Sequence, residues 1–119
     1  MAGSRFPESM NALTDYVVAG LKRRLDDAVD DVEVRESRDS PTPWLTLECT
    51  LFDYLPVVFT YDRGFCGFGV DFGSRGTPLA PREPLAVRSA QNIDVLLDQA
   101  VEQARLRIPD KFLESRGWA

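Results

Sequence analysis

The chain has 119 residues, of which 44% are hydrophobic and 28% charged, and its formal net charge is −5. This length fits a single domain over residues 1–119, with a core of its own. The negative charge argues against binding nucleic acid or an anionic membrane surface, because both require a basic face. It is compatible with a basic protein partner, and equally with a surface that only keeps the chain soluble.

The chain carries no signal for a membrane or for export. No apolar run approaches the roughly 20 residues that span a bilayer. The first five residues, MAGSR, lack the apolar segment of a signal peptide. We therefore expect a cytoplasmic protein.

A helix is predicted from about Pro7 to Ala28, because proline suits the first helical position. Apolar residues follow the 3.6-residue period at Met10, Leu13, Val17, Leu21, Leu25 and Ala28. Gly20 costs up to about 1 kcal/mol inside a helix. A close approach of the helix to a sheet would explain it. The basic run 22–24 is expected to pair with Asp26 and Asp27 at i,i+4 spacing.

Four segments alternate apolar and polar residues with the period of a β-strand. They span 32–37, 44–52, 57–61 and 65–72. The residues predicted to face inward are Leu45, Leu47, Cys49, Leu51, Val57, Phe59, Tyr61, Cys66, Phe68, Val70 and Phe72. This alternation is typical of an antiparallel sheet with one buried face. The fold class is therefore predicted as α+β, a meander whose N- and C-terminal helices pack on one face.

Residues 73–87 are irregular in composition and contain three prolines. At about 15 residues the segment is longer than most loops, which favours a functional loop or an additional strand. Prolines would confine such a strand to the sheet edge. The sheet has four strands in the first case and five in the second.

A second helix is predicted from Ser89 or Asn92 to Ile108, with Pro109 as its stop signal. Its apolar stripe is Ile93, Leu96, Leu97, Ala100, Val101 and Ala104. Phe112, Leu113 and Trp118 predict a short terminal turn that packs back onto the core.

The two cysteines, Cys49 and Cys66, both fall on the predicted inner face. With one strand between them their Cα atoms would lie about 10 Å apart, which is too far for a disulfide. We expect two reduced core thiols. Two cysteines without histidine make a poor zinc site and lack the usual activating base, so no metal or cofactor is expected. Carboxylate pairs such as Glu48 with Asp53 or Asp71 leave acid–base chemistry open.

The run 64–69, GFCGFG, resembles a phosphate-binding loop in composition only, because it continues as a strand. Gly67 and Gly69 fall on the outer face and leave the backbone there bare. Close packing by residues 73–87 is the favoured explanation. Close approach by a binding partner is the alternative.

Acidic residues are concentrated between the first helix and the first strand. They are Asp26, Asp27, Asp30, Asp31, Glu33 and Glu36. Negative charge at a helix C-terminus is disfavoured by the helix dipole, which indicates a role outside folding. Docking of a basic partner is one such role, and a solvated turn is the simpler reading.

The order helix, four strands, helix in a small acidic chain resembles small bacterial toxin-immunity proteins over residues 7–108. That resemblance implies a tight inhibitor of a toxin domain, bound through acidic and aromatic surface residues. By this analogy the contact residues are the acidic cluster together with Asp53, Tyr54, Asp62 and Asp71. The protein itself would be a monomer or a homodimer without enzymatic activity.

Two alternatives are carried forward. A dimeric secretion chaperone for an effector would have a similar size and charge, and would bury the second helix in its dimer. A small-molecule-binding domain or cofactor-free enzyme would need a pocket between sheet and helices, lined by Phe59, Tyr61, Phe68 and Phe72.

Overall fold

The structure is a computed structural model that describes residues 6–71 and 76–118. It contains the strands β1 (Glu33–Arg38), β2 (Trp44–Leu51), β3 (Leu55–Asp62), β4 (Phe65–Asp71) and β5 (Gly76–Ala86). They form one antiparallel sheet in chain order, each strand paired with the next. The helices are α1 (Met10–Leu25), α2 (Ala90–Leu106) and α3 (Asp110–Ser115), and a 3₁₀ turn (Asp26–Ala28) follows α1. The predicted α+β meander is confirmed, with five strands.

The inner face of the sheet is the apolar face that sequence alternation predicts. Along β2 and β3, buried residues alternate with half-buried or exposed ones. All the predicted inward residues are buried except Phe72, which lies outside the described residues. The Phe59 and Phe68 rings pack with centroids 5.2 Å apart. Fully buried stripes on α1 and α2 complete one hydrophobic cluster.

Helix α1 begins three residues later than the sequence predicts. The Ser9 side chain accepts a hydrogen bond from the Ala12 amide at 3.0 Å, and the Asp39 carboxylate accepts one from the Met10 amide at 2.8 Å. Both bonds satisfy backbone N–H groups at the start of the helix that have no partner within it. Pro7 has no side-chain acceptor and cannot cap the helix in this way. The helix ends at Leu25, because Asp26 adopts a positive φ of 50°.

Gly20 marks a close contact between the two long helices, and not between helix and sheet as predicted. A Cβ atom at Gly20 would lie 2.4 Å from Leu97 Cδ1. Arg24 crosses the same interface and donates to the Asp98 carboxylate at 2.7 Å. The predicted pairing of the basic run with Asp26 and Asp27 is therefore wrong, because the helix ends before them.

The β2–β3 turn is tighter than predicted. Leu51 pairs directly with Leu55, so β3 begins at Leu55 and β2 ends before Phe52. Phe52 and Asp53 both have positive φ, 56° and 52°. They are the central residues of a turn closed by the hydrogen bond from the Tyr54 amide to the Leu51 carbonyl at 3.1 Å, and the left-handed geometry is one that phenylalanine disfavours and aspartate tolerates.

Residues 76–86 form the edge strand β5, so the segment left open by the sequence is mostly strand. Its pairing with β4 shifts register twice, around Phe68. An edge position tolerates its three prolines, since one side of the strand needs no ladder. The strand at the other edge, β1, is exposed along its whole length, and the Val34 residue on it is 51% exposed.

The C-terminal segment packs against the β2–β3 turn, as its aromatic residues predict. The Trp118 indole lies edge-on to Phe52 at 5.9 Å and donates to the Asp27 carboxylate at 3.1 Å. The Arg105 guanidinium donates to the Trp118 carbonyl at 3.2 Å. In the described part of the chain, none of the helices is both long and apolar enough to cross a membrane.

Candidate functional site

The outer face of the sheet, opposite the helices, carries the most distinctive surface of the described residues. Its strands present half-buried and exposed polar residues, glycines and one exposed aromatic ring, Phe65. Two depressions lie on it. One is acidic and one is apolar.

The first depression, which we call the acidic cleft, has a volume of about 200 Å³. Its carboxylates come from three parts of the chain. They are Asp30, Asp31, Glu33, Glu48 and Asp71. The walls between them include Thr50 and Pro56. The sheet thus brings together five carboxylates that are separated by up to 41 positions in the sequence.

The chain before β1 is fixed to the end of β2, and this places the first carboxylates of the cleft. Asp30 makes two hydrogen bonds with Thr50: its amide donates to the Thr50 carbonyl at 3.3 Å, and its carboxylate accepts from the Thr50 amide at 2.7 Å. Val29 also forms a bridge with Leu51. Asp31 and Glu33 follow directly and are exposed.

One cation of the chain already lies among these carboxylates. Arg35 Nε lies 3.3 Å from a Glu48 oxygen, and Arg35 Nη1 lies 3.9 Å from an Asp71 oxygen. The arginine side chain remains 51% exposed. Two of the five carboxylates of the cleft, Glu48 and Asp71, therefore already pair with a guanidinium.

The second depression, which we call the glycine groove, has a volume of about 450 Å³. Its floor is the bare backbone at Gly67 and Gly69. Its sides are formed by Thr60, Phe65, Thr77, Pro78 and Pro81, among others. A Cβ at Gly67 or Gly69 would lie 3.4 Å from a β5 carbonyl oxygen, which is ordinary contact. The described residues 76–86 of this segment pair beside β4 and leave the groove above the two glycines open, so the predicted close packing does not account for the glycines.

A single cross-strand row connects the two depressions. Glu48 pairs with Val58, and Val58 pairs with Gly69. Adjacent strands lie about 4.8 Å apart, so the Cα atoms of Glu48 and Gly69 are separated by about 10 Å. A partner of modest size therefore reaches both depressions at once.

Other predicted contact residues lie elsewhere and take part in internal contacts. Asp53 pairs with Arg116 at 2.8 Å, and the Tyr54 ring packs on Phe112 at 5.0 Å. Asp62 pairs with Arg63 at 3.1 Å.

The acidic cluster before β1 is divided by the fold. Asp26 and Asp27 belong to the 3₁₀ turn, where Asp27 accepts the Trp118 hydrogen bond, and Glu36 is exposed on β1. Asp27 and Asp30 both make internal hydrogen bonds and so contribute to the fold, while a role of the cluster outside folding stays a prediction.

Sequence reasoning missed Arg35 as part of the site and treated Glu48 only as one of several acid–base pairs. The signal for Glu48 was present, since it is the one carboxylate on the outer face of β2. The signal for Arg35 was its alternation with Val34 on a strand of charged residues.

The two cysteines are free and buried, on β2 and β4 with β3 between them. Burial raises the pKa of each thiol from 9.0 to about 12, and the nearby Asp30 and Glu48 carboxylates add to the effect at Cys49. Such thiols are poor nucleophiles at neutral pH. Among the described residues, no group of three or more acidic or cysteine side chains is arranged to hold a metal ion.

Comparisons with protein-family models, with curated proteins and with solved structures find no match to this chain.

Proposed function

We propose that this protein is a non-enzymatic, cytoplasmic binding protein of the toxin-immunity type, which neutralises a basic toxin domain through the outer face of its sheet. The observation that carries the proposal is the acidic cleft, where five carboxylates converge on an exposed surface. Opposite charges across an interface steer association and set specificity. The net charge of −5 acts in the same direction.

The packing of α2 favours this reading over a secretion chaperone. Its apolar stripe is buried inside its own chain at Ile93, Leu96, Leu97, Ala100 and Ala104, and Val101 is partly buried. A dimer built on that stripe would have to open the core first. The tight packing of Phe59 on Phe68 likewise favours a filled interior over a ligand pocket between sheet and helices.

The test is a capture experiment followed by a toxicity assay. Tagged protein would be used as bait in lysate of the source organism, in parallel with Asp31→Lys/Glu33→Lys. Both positions are exposed and line the cleft. The control is Glu102→Lys/Glu114→Lys, which makes the same charge change on exposed helical positions.

The expected partner is captured by the wild type and the control and is lost from the cleft variant. Its gene, expressed alone in a bacterial host, should arrest growth, and co-expression of this protein should restore it. A partner that is harmless, or one whose toxicity persists on co-expression, would contradict the proposed function.

A further inference from the structure

We infer that the glycine groove and the acidic cleft form one composite site, which takes a large apolar side chain of the partner protein in the groove and an adjacent arginine or lysine in the cleft. This inference rests on the proposed function, since it names the chemistry of the same partner. It also assigns a role to the glycine groove, which the charge argument for the acidic cleft leaves unexplained.

The shape of the groove fits a large side chain. Two glycines on neighbouring outward positions of β4 remove the side chains that would otherwise fill it. Prolines of β5 and the half-exposed Phe65 ring form apolar walls. Aromatic side chains and arginines seated in well-packed pockets carry much of the binding free energy at protein interfaces.

The negative charge of the acidic cleft beside the groove identifies the second group of the partner as an arginine or lysine. Through the Glu48–Val58–Gly69 row the cleft lies about 10 Å from the groove, roughly the length of three residues of extended chain. Arg35 shows which chemistry the cleft holds, because its guanidinium is bound by Glu48 and Asp71. An incoming cation would compete with Arg35 or share the carboxylates with it.

The probe is a displayed library of random 12-residue peptides, selected on the full-length protein. Enriched peptides should carry a large apolar residue with arginine or lysine three or four positions away. Enrichment of peptides without this pairing, or no enrichment at all, would overturn the inference.

Variants locate the binding. Gly67→Leu should weaken the enriched peptides by about tenfold or more, because its side chain would fill the groove. Gly67→Ala should weaken them less, since its methyl group fits beside β5. Arg35→Ala should strengthen binding several-fold, because it removes the competing cation. Equal affinity for wild type and Gly67→Leu, with thermal melts showing that all variants are folded, would overturn the inference.

The outcomes separate this inference from the proposed function. If the captured toxin is neutralised equally well by Gly67→Leu, the function stands and the composite site fails. If the peptides bind as expected but no captured partner is toxic, the composite site stands and the immunity assignment fails. If the protein instead dimerises and Gly67→Leu makes it monomeric, the occupant is a second copy of this chain and the inference is overturned.

Discussion

Glu48 and Gly69 lie on one cross-strand row of the outer face, two strands apart, with Val58 between them. Glu48 belongs to the acidic cleft and Gly69 to the floor of the glycine groove. The row makes the two depressions parts of one surface. It also lets each be altered separately, because neither residue contributes a side chain to the core.

The glycine floor should tolerate a methyl group. At Gly67 the added Cβ meets only atoms at 3.4 Å or beyond, and alanine is favoured over glycine in a strand by roughly 0.5–1 kcal/mol. Gly67→Ala should therefore leave the free energy of unfolding unchanged or raise it slightly. Chemical denaturation would measure it.

Gly64 provides the matched comparison, because its φ is 87° and it has open space around it. Gly64→Ala should lower stability by about 1 kcal/mol through backbone strain alone. A Gly67→Ala variant less stable than Gly64→Ala would show that the groove floor is required for folding and is not spare surface.

The contact of Gly20 with Leu97 predicts a reversal of sign in a double-mutant cycle. In the wild-type background, Gly20→Ala should destabilise the protein, because overpacking costs about 1–3 kcal/mol and exceeds the gain in helix propensity. In the Leu97→Ala background the clash is absent, so the same substitution should stabilise by up to about 1 kcal/mol.

The cycle is measured by urea denaturation of the wild type, Gly20→Ala, Leu97→Ala and the double variant, which gives the free energy of unfolding of each. The control is Ala19→Gly, at an exposed neighbouring position of α1, which reports helix propensity alone. Gly20→Ala effects of the same sign in both backgrounds would contradict the close helix contact.

The C-terminal tryptophan should contribute to stability through two separable contacts. Trp118→Phe removes the hydrogen bond to Asp27 but keeps a ring beside Phe52, and should cost about 1 kcal/mol. Trp118→Ala removes both contacts and should cost about 2 kcal/mol or more. If Trp118→Phe lowers stability just as much in an Asp27→Ala background, the hydrogen bond is not formed in solution.

Burial of the two thiols has consequences for their alkylation and for the pH dependence of folding stability. Because burial raises the pKa of Cys49 and Cys66 to about 12, the folded protein should resist alkylation at pH 8 and react on unfolding. The unfolded chain loses these protons at lower pH than the folded chain. Stability should therefore be independent of the thiols below about pH 9 and fall as pH rises toward 12.

Cys66→Ala tests whether the buried thiols cause this pH dependence, since it should reduce the loss of stability at alkaline pH. Tyr61 contributes to the same loss, because burial also raises its pKa. Rapid alkylation of the native protein at pH 8 would contradict the burial of the thiols.

The sequence carries the period-two alternation of β2 to β4, and so the inner face of the sheet was predictable residue by residue. It does not fix hydrogen-bond partners. The start of α1 depends on Ser9 and Asp39, and the β2–β3 turn depends on Phe52 in a conformation that its residue type disfavours. The three prolines of β5 argue against a strand when the sequence is read alone. The strand forms because it lies at the edge of the sheet, where prolines are tolerated.

The candidate site was predictable in part for the same reason. Asp30, Asp31 and Glu33 are close in sequence and already form an acidic cluster. Their meeting with Glu48 and Asp71 depends on the register across β2, β3 and β4, and on the pairing of Asp30 with Thr50. Arg35 joins them through a side chain that reaches across neighbouring strands, which local periodicity does not encode.

The central claim is that the outer face of the sheet binds a basic partner. Its most direct test is calorimetric measurement of the captured partner's affinity for wild type, Asp31→Lys/Glu33→Lys and the control Glu102→Lys/Glu114→Lys at constant ionic strength. We predict a loss of about tenfold or more for the cleft variant and little change for the control. Equal affinities for the two variants would contradict the claim and place the binding surface elsewhere.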